Sequence, residues 1–142
     1  MKQNILALDL GRASLGVAIS RSGMFVTPLK NIHFKIDDID DCLTQLKELT
    51  VLEKIDTIVI GYPYYPSGDM SEMTENVDKF IPRLNDIFPG RVVIKVDERN
   101  STVEASQMLH SNNKNSKKQK SIIDSAAAMI ILERYLRSIG QM

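Results

Sequence analysis

Residues 56–61, Asp-Thr-Ile-Val-Ile-Gly, form a short unbroken apolar run that ends in glycine. A strand with this pattern has no polar face to turn to water. It must be covered on both sides, which places it at the centre of a sheet with helices above and below.

The flanking sequence supplies the rest of such a sheet. NILALDLG (4–11) and SLGVAIS (14–20) predict two strands joined by a tight glycine-containing turn, a β-hairpin. LKNIHFK (29–35) sets Leu29, Asn31, His33 and Lys35 against Lys30, Ile32 and Phe34, and predicts a third, half-exposed strand. Ile36, Ile39, Leu43, Leu46 and Leu49 then recur at helical spacing, with Asp37 and Asp38 suited to the positive end of a helix dipole. After the central run comes a Pro/Tyr/Gly loop, YPYYPSGDM. Met73, Val77, Phe80, Ile81, Leu84 and Ile87 predict an amphipathic helix in which Pro82 should cause a kink or a break.

Residues 91–97 predict another strand, and Ser101 with Glu104 has the spacing of a capping box that opens a short helix. A polar, Lys-rich loop over 111–120 leads to a last helix through Ile123, Ala127, Ile130, Ile131 and Tyr135. The order β-β-β-α-β-α-β-α-α predicts an α/β domain over 1–142: a mixed five-stranded sheet, three antiparallel strands followed by parallel ones, with helices on both faces.

Composition narrows the function classes. The chain has 142 residues and one cysteine, Cys42, which excludes an internal disulfide framework and a Cys-rich zinc site. A reducing, cytoplasmic setting follows. Asp9 interrupts the N-terminal apolar run, so no signal peptide is expected, and no stretch approaches a membrane span. Net charge is zero, yet residues 1–90 carry 9 Lys and Arg against 13 Asp and Glu, and residues 91–142 carry 9 against 5. The basic C-terminal part is the end suited to a polyanion.

Chemistry concentrates in acids at the ends of core elements. Asp9 lies between Leu8 and Leu10, where a charge is costly unless something pairs with it. Asp97 and Glu98 end the strand 91–97, and Asp124 falls near the start of the final helix. Carboxylates gathered this way suit Mg²⁺ or Mn²⁺, and two such ions serve phosphodiester cleavage by water. Each acid also has a structural reading: Asp9 as a turn cap, Asp97 and Glu98 as a strand end pairing with Arg99, Asp124 as a first-turn helix residue. Strand alternation puts Glu98 on the face of Val92, Ile94 and Val96, and Asp97 on that of Lys95. Glu98 is thus the chemical candidate, with Asp97 orienting Arg99 or capping the next turn.

Other features divide similarly. Gly11 and Gly16 either admit a phosphate or permit positive φ, the latter favoured for Gly16. Tyr64 and Tyr65 are candidates for base stacking. Lys114, Lys117, Lys118 and Lys120 either hold phosphates or are solvated. His33 and His110 have no partner at metal-ligand spacing and read as structural or solvated.

Taken in order, LALDLGRASLGVAIS, IVIGYPYYPSGDMSE, VDERNSTVEA and KSIIDSAAAMIILERYL resemble the four motifs of the YqgF (RuvX) family of Holliday-junction-resolvase-like nucleases. The resemblance spans nearly the whole chain. It implies a ribonuclease H-like fold and a cytoplasmic, Mg²⁺- or Mn²⁺-dependent endonuclease with Asp9, Glu98 and Asp124 as its active site and metal ligands. It further implies processing of the 5′ end of pre-16S rRNA, on ribosomal precursor particles, or resolution of branched DNA, by a monomer or homodimer. Arg99, Lys117, Lys118 and Lys120 would meet phosphates. Ser14 stands where many members carry arginine, which leaves Arg12 for that role, and Asn100 replaces a common apolar residue.

Two other classes remain open. An Asp-x-Gly strand turn also occurs in actin-like phosphotransferases, but these need two such domains around a nucleotide. A non-catalytic RNA-binding module would bind RNA indifferently to Asp9, Glu98 and Asp124.

Overall fold

The computed structural model describes residues 3–63, 72–97 and 116–140, and of residues 116–125 only the helical backbone. Strands β1 (Ile5–Leu10) and β2 (Ser14–Arg21) form the expected hairpin, closed by the Gly11 amide donating to the Ser14 carbonyl at 2.7 Å. A Cβ at Gly11 would come within 3.1 Å of the Ser14 hydroxyl, so the turn is tight because glycine leaves room for it. Gly11 and Gly16 are absent from the positive-φ glycines of the described residues, which are Gly23, Gly90 and Gly140. The positive-φ reading of Gly16 is therefore corrected.

The third expected strand is two pieces. β3 (Phe25–Pro28) and β4 (Ile32–His33) both pair antiparallel with β2. Consecutive left-handed residues, Ser22 (φ 64) and Gly23 (φ 69), turn the chain from β2 into β3. Pro28 lacks the amide needed to continue a ladder, and it is tolerated because β3 lies at the sheet edge. Ile32 and Phe34 are buried and His33 and Lys35 exposed, as the alternation predicts, but Lys30 is exposed and Asn31 buried, so the pattern fails at the start of the run.

Helix α1 (Ile39–Leu49) is capped by Asp38, whose carboxylate accepts the Asp41 amide at 3.1 Å. It buries Cys42, Leu43 and Leu46, and burial followed by nearby Asp41 pushes the Cys42 thiol up to about 12. Strand β5 (Thr57–Tyr62) is the central strand foreseen from its apolar run. Helix α2 (Glu72–Ile87) runs through Pro82 without a break. Proline cannot donate to the carbonyl four residues earlier, but Val77 and Phe80 before it and Leu84 after it are all buried, so packing holds both halves.

Strand β6 (Val92–Asp97) and helix α3 (Ser116–Ser138) complete the described elements. The helix begins inside the stretch expected to be a Lys-rich loop, so Lys117, Lys118 and Lys120 lie on its first turns. Lys and Gln are good helix formers, and without an apolar stripe they gave no periodic signal. The expected helix at Ser101 and Glu104, and His110, lie outside the described residues.

The strand order is β3-β2-β1-β5-β6, with β4 beside β3 on β2; β1, β5 and β6 are parallel. One face carries Leu6, Leu8, Leu10, Val17, Ile19, Ile58 and Ile60 against α1 and α2. The other carries Ile5, Ala7, Ala18, Val59, Ile94 and Val96 against Ala128, Ile131, Leu132 and Leu136 of α3. The mixed sheet with helices on both faces is as the sequence predicts. Local ties pin its edges. Asn4 donates to the Lys54 carbonyl at 2.7 Å, and Arg21 holds Glu53 at 2.7 Å, a hydrogen bond that keeps the Glu53 carboxyl below its usual range. Lys95 sits 4.4 Å from the Tyr62 ring centre and 3.4 Å from Asp78, to which the Tyr62 hydroxyl donates at 3.0 Å.

Candidate active site

Parallel pairing brings the carboxyl ends of β1, β5 and β6 to one rim of the sheet. On that rim the pairing sets each side chain beside a known neighbour. Asp9 is opposite Gly16 on β2. Leu8 is beside Ile60, so the next step along both strands sets Asp9 beside Gly61, and Gly61 is beside Val96 on β6. Across four adjacent strands the rim therefore reads Gly16, Asp9, Gly61, Val96, all on the α3 side of the sheet.

Asp9 is half-buried in this row, flanked along its own strand by Leu8 and Leu10, which face the opposite layer. Neither of its cross-strand neighbours in this row carries a side chain, and both glycines are buried. Gly61 is the residue here that sequence reasoning passed over. Its signal was the glycine ending the central apolar run, but only the pairing register puts it next to Asp9.

Asp97 reaches the same rim on the other face, with Val93 and Lys95, as alternation predicts. Asp9 and Asp97 are thus separated by the sheet itself. The Asp97 carbonyl accepts a hydrogen bond from Arg134 Nη1 of α3 at 2.9 Å. Glu98, Arg99 and Lys114 lie outside the described residues, as do Tyr64, Tyr65 and the side chains of Lys117, Lys118, Lys120 and Asp124. Position 124 is nevertheless placed along α3, one turn before Ala128 and two before Ile131 and Leu132, the residues that pack on the Asp9 face. Among the described residues no three Asp, Glu, His or Cys side chains gather as a metal-binding group.

Arg12 occupies the hairpin turn, largely exposed, 3.6 Å from the Glu72 carboxylate. It borders a cleft of about 520 Å³ on the α1 and α2 side, together with Leu10, Asp37, Lys79 and Arg83. Asp9 does not line that cleft, which lies on the α1 and α2 side of the rim, whereas the Asp9 row faces α3. Arg83 is tied to Asp40 and Asp86, whose hydrogen bonds hold its guanidinium firmly protonated. Among the described residues no helix is long and apolar enough to cross a membrane.

The family model for "RuvX: Holliday junction resolvase" matches residues 3–138. A protein of Onion yellows phytoplasma (strain OY-M) named "Putative pre-16S rRNA nuclease" is 40% identical over 131 residues, 92% of this chain and 87% of its own length. Relatives of the same name in Mycoplasmopsis pulmonis and Bacillus licheniformis are 39% and 41% identical, over 94% and 96% of this chain and 92% and 98% of their own. Among solved structures, Thermus thermophilus RuvC in complex with a Holliday junction substrate superposes with a TM-score of 0.60 at 11% identity, covering 98% of this chain and 97% of that one. A second structure of Thermus thermophilus RuvC gives 0.55 at 9% identity over 95% and 96%. The fold is ribonuclease H-like.

Proposed function

Since the chain belongs to the RuvX family, we propose that it is an endonuclease that hydrolyses phosphodiesters of structured nucleic acid, with the 5′ end of pre-16S rRNA as its substrate and branched DNA as the second reading. The relatives' shared name supports the RNA reading. The observation that carries the chemistry is the rim row, in which a half-buried aspartate stands between two glycines facing the layer of α3.

We read three acids onto this row. Ile94 and Val96 lie on the Asp9 face, and sequence alternation carried one step further would bring Glu98 to it as well. Strands β1 and β6 are two strand spacings apart, roughly 10 Å between backbones. Asp and Glu side chains can close much of that gap from either side. Helical spacing would set Asp124 on the stripe of Ala128 and Ile131, which pack on the same face. An all-oxygen donor set suits a hard divalent cation. Asp9, Glu98 and Asp124 would hold Mg²⁺ or Mn²⁺, which when bound activates a water and stabilises the leaving oxygen. Arg12 at the turn, Arg99 after β6 and Lys117, Lys118 and Lys120 at the start of α3 would grip phosphates on either side of the scissile bond. The setting proposed is cytoplasmic, in one domain over 1–142.

The test is cleavage of a labelled RNA carrying the 16S 5′ leader and, in parallel, of a four-way DNA junction. Cleavage of the RNA at a defined position, stopped by EDTA and restored by Mg²⁺ or Mn²⁺, is the expected result. Metal-dependent cutting of the junction alone would transfer the assignment to branched DNA, and binding of RNA without cleavage of either would sink the nuclease reading.

The glycine row makes a separate prediction. Gly61→Val adds a side chain that strands accommodate well, on a residue with no left-handed backbone to preserve. It also adds bulk beside Asp9 in a buried row. Single-turnover cleavage should fall by about 10²-fold, the effect of roughly 1 Å of misplacement at a reacting centre. A valine variant that melts like the parent and cuts at the parental rate would show that this row does not receive the substrate.

A further inference from the structure

The cleft on the α1 and α2 side begins at the same hairpin turn as the rim. Gly11 and Arg12 of the β1–β2 turn line it, and Asp9 precedes Gly11 by two residues. Two residues of extended chain span roughly 7 Å. A nucleic-acid strand lying at Asp9 has only to pass over the hairpin turn to enter the cleft.

The charges that line the cleft divide into committed and available groups. Arg83 is held by Asp40 and Asp86, and Asp38 caps α1 by accepting the Asp41 amide. Arg12 has a loose pair with Glu72, 3.6 Å apart and largely exposed on both sides, and a pair in that setting is worth little. Lys79 and Asp37 both line the cleft and are exposed, and neither has an ion-pair or hydrogen-bond partner among the described residues. Asn76 lies three residues before Lys79 on α2, so the amide and the ammonium share a helix face.

Two features of the opposite wall add to this. Asp37 has φ 67, a left-handed backbone that is uncommon outside glycine but that Asp adopts more readily than most residues. Its neighbour Ile36 is 61% exposed, an apolar side chain left in water at the edge of a charged cleft. The lining thus offers two cations, one amide, one carboxylate and apolar surface around about 520 Å³. An ionised carboxylate can only accept hydrogen bonds, so Asp37 repels a bare phosphate and needs a ligand that also carries an O–H or N–H. A ribonucleotide has both parts. Its phosphate suits the cations, and its 2′-hydroxyl is a donor that a deoxyribonucleotide lacks.

We propose that this cleft binds one unpaired ribonucleotide of the substrate strand. Lys79 and Arg12 hold its phosphate, Asp37 accepts from its 2′-hydroxyl, Asn76 meets the base edge, and Ile36 supports the base face. The path of the strand from Asp9 into the cleft rests on the nuclease reading, and the cleft is where that strand is recognised as RNA.

Binding is measured without cleavage, in EDTA, by the fluorescence anisotropy of a short labelled single-stranded RNA and of the DNA of the same sequence on the full-length protein. The parent should prefer RNA about 10-fold, the size of one hydrogen bond to a charged acceptor. Asp37→Asn keeps a residue that tolerates the left-handed backbone and should cut the preference to about 3-fold, because a neutral acceptor makes roughly half the bond. The ratio of the two affinities is insensitive to the general gain in binding that follows removal of a negative charge. Lys79→Gln should lower the slope of log affinity against log salt by about 0.7, the share of one phosphate contact on a single strand. Both side chains are exposed, so both variants should melt with the parent.

Equal binding of RNA and DNA by the parent, or an undiminished preference in Asp37→Asn, would overturn the ribonucleotide site. An unchanged salt slope in Lys79→Gln would do the same, since the phosphate would then lie elsewhere. The expected pattern in a protein that cuts neither RNA nor junction would sink the nuclease reading and leave the site standing. Metal-dependent cleavage without any preference for RNA would do the reverse.

Discussion

Asp9→Asn is expected to abolish cleavage while leaving the fold and nucleic-acid binding in place. The substitution keeps the shape of the side chain and removes its charge. The described hydrophobic layers are built from its neighbours: Leu8 and Leu10 pack toward α1 and α2, and Ile5 and Ala7 pack toward α3. What is lost is the one described carboxylate on the Asp9 row. Removing a single group that stabilises developing charge commonly costs about 10²–10³ in kcat. Loss of a carboxylate at the centre of a cation site should reach at least the upper end of that range. Binding, carried by basic residues elsewhere, should persist, and the melting temperature should stay within a few degrees. The measurement is single-turnover cleavage of the leader RNA by highly purified variant protein, with a filter-binding assay on the same preparation. Parental cleavage by Asp9→Asn would remove Asp9 from the catalytic centre, and with it the rim as the active site.

Part of the rim could be read before any fold was known, because its parts are local. The isolated charge at Asp9 and the apolar strand that ends in Asp97 need only neighbouring residues. The helices α1 and α2 declared themselves by periodicity for the same reason. What stayed hidden depends on pairing between distant segments. Gly61 becomes a neighbour of Asp9 only through the register of β1 with β5, and Gly16 acquires its place through the register of β1 with β2. Arg134 meets Asp97 across 37 residues, and no spacing rule foretells a contact of that kind. The split of the third strand at Pro28 and the early start of α3 at Ser116 were missed for a different reason. A proline ending an edge strand interrupts alternation, and a polar first turn of a helix leaves no apolar stripe to count.

The second large effect concerns the distance between α3 and the sheet. The two faces of the hairpin differ in bulk. Leu6, Leu8, Val17 and Ile19 face α1 and α2, whereas Ala7 and Ala18, directly paired, face α3 together with Gly16. Ala128 on the helix is also fully buried. Small residues on both partners let the helix lie close to the strands, and under the proposed function a helix-borne Asp124 would need that closeness to share cations with Asp9. Ala18→Leu should therefore act twice. Overpacking this layer should cost about 1–3 kcal/mol of stability, and lifting α3 by roughly 1 Å should cut cleavage about 10²-fold. A control on the other face distinguishes geometry from stability. Leu46→Ala, in α1, removes a fully buried side chain and should cost about 2–5 kcal/mol. Because that cavity lies across the sheet from α3, cleavage at a temperature well below the transition should change only a few-fold. Thermal melts and single-turnover rates on the two variants make the comparison. If the alanine variant loses as much activity as the leucine variant, activity tracks stability, and the close seating of α3 has no separate part in catalysis.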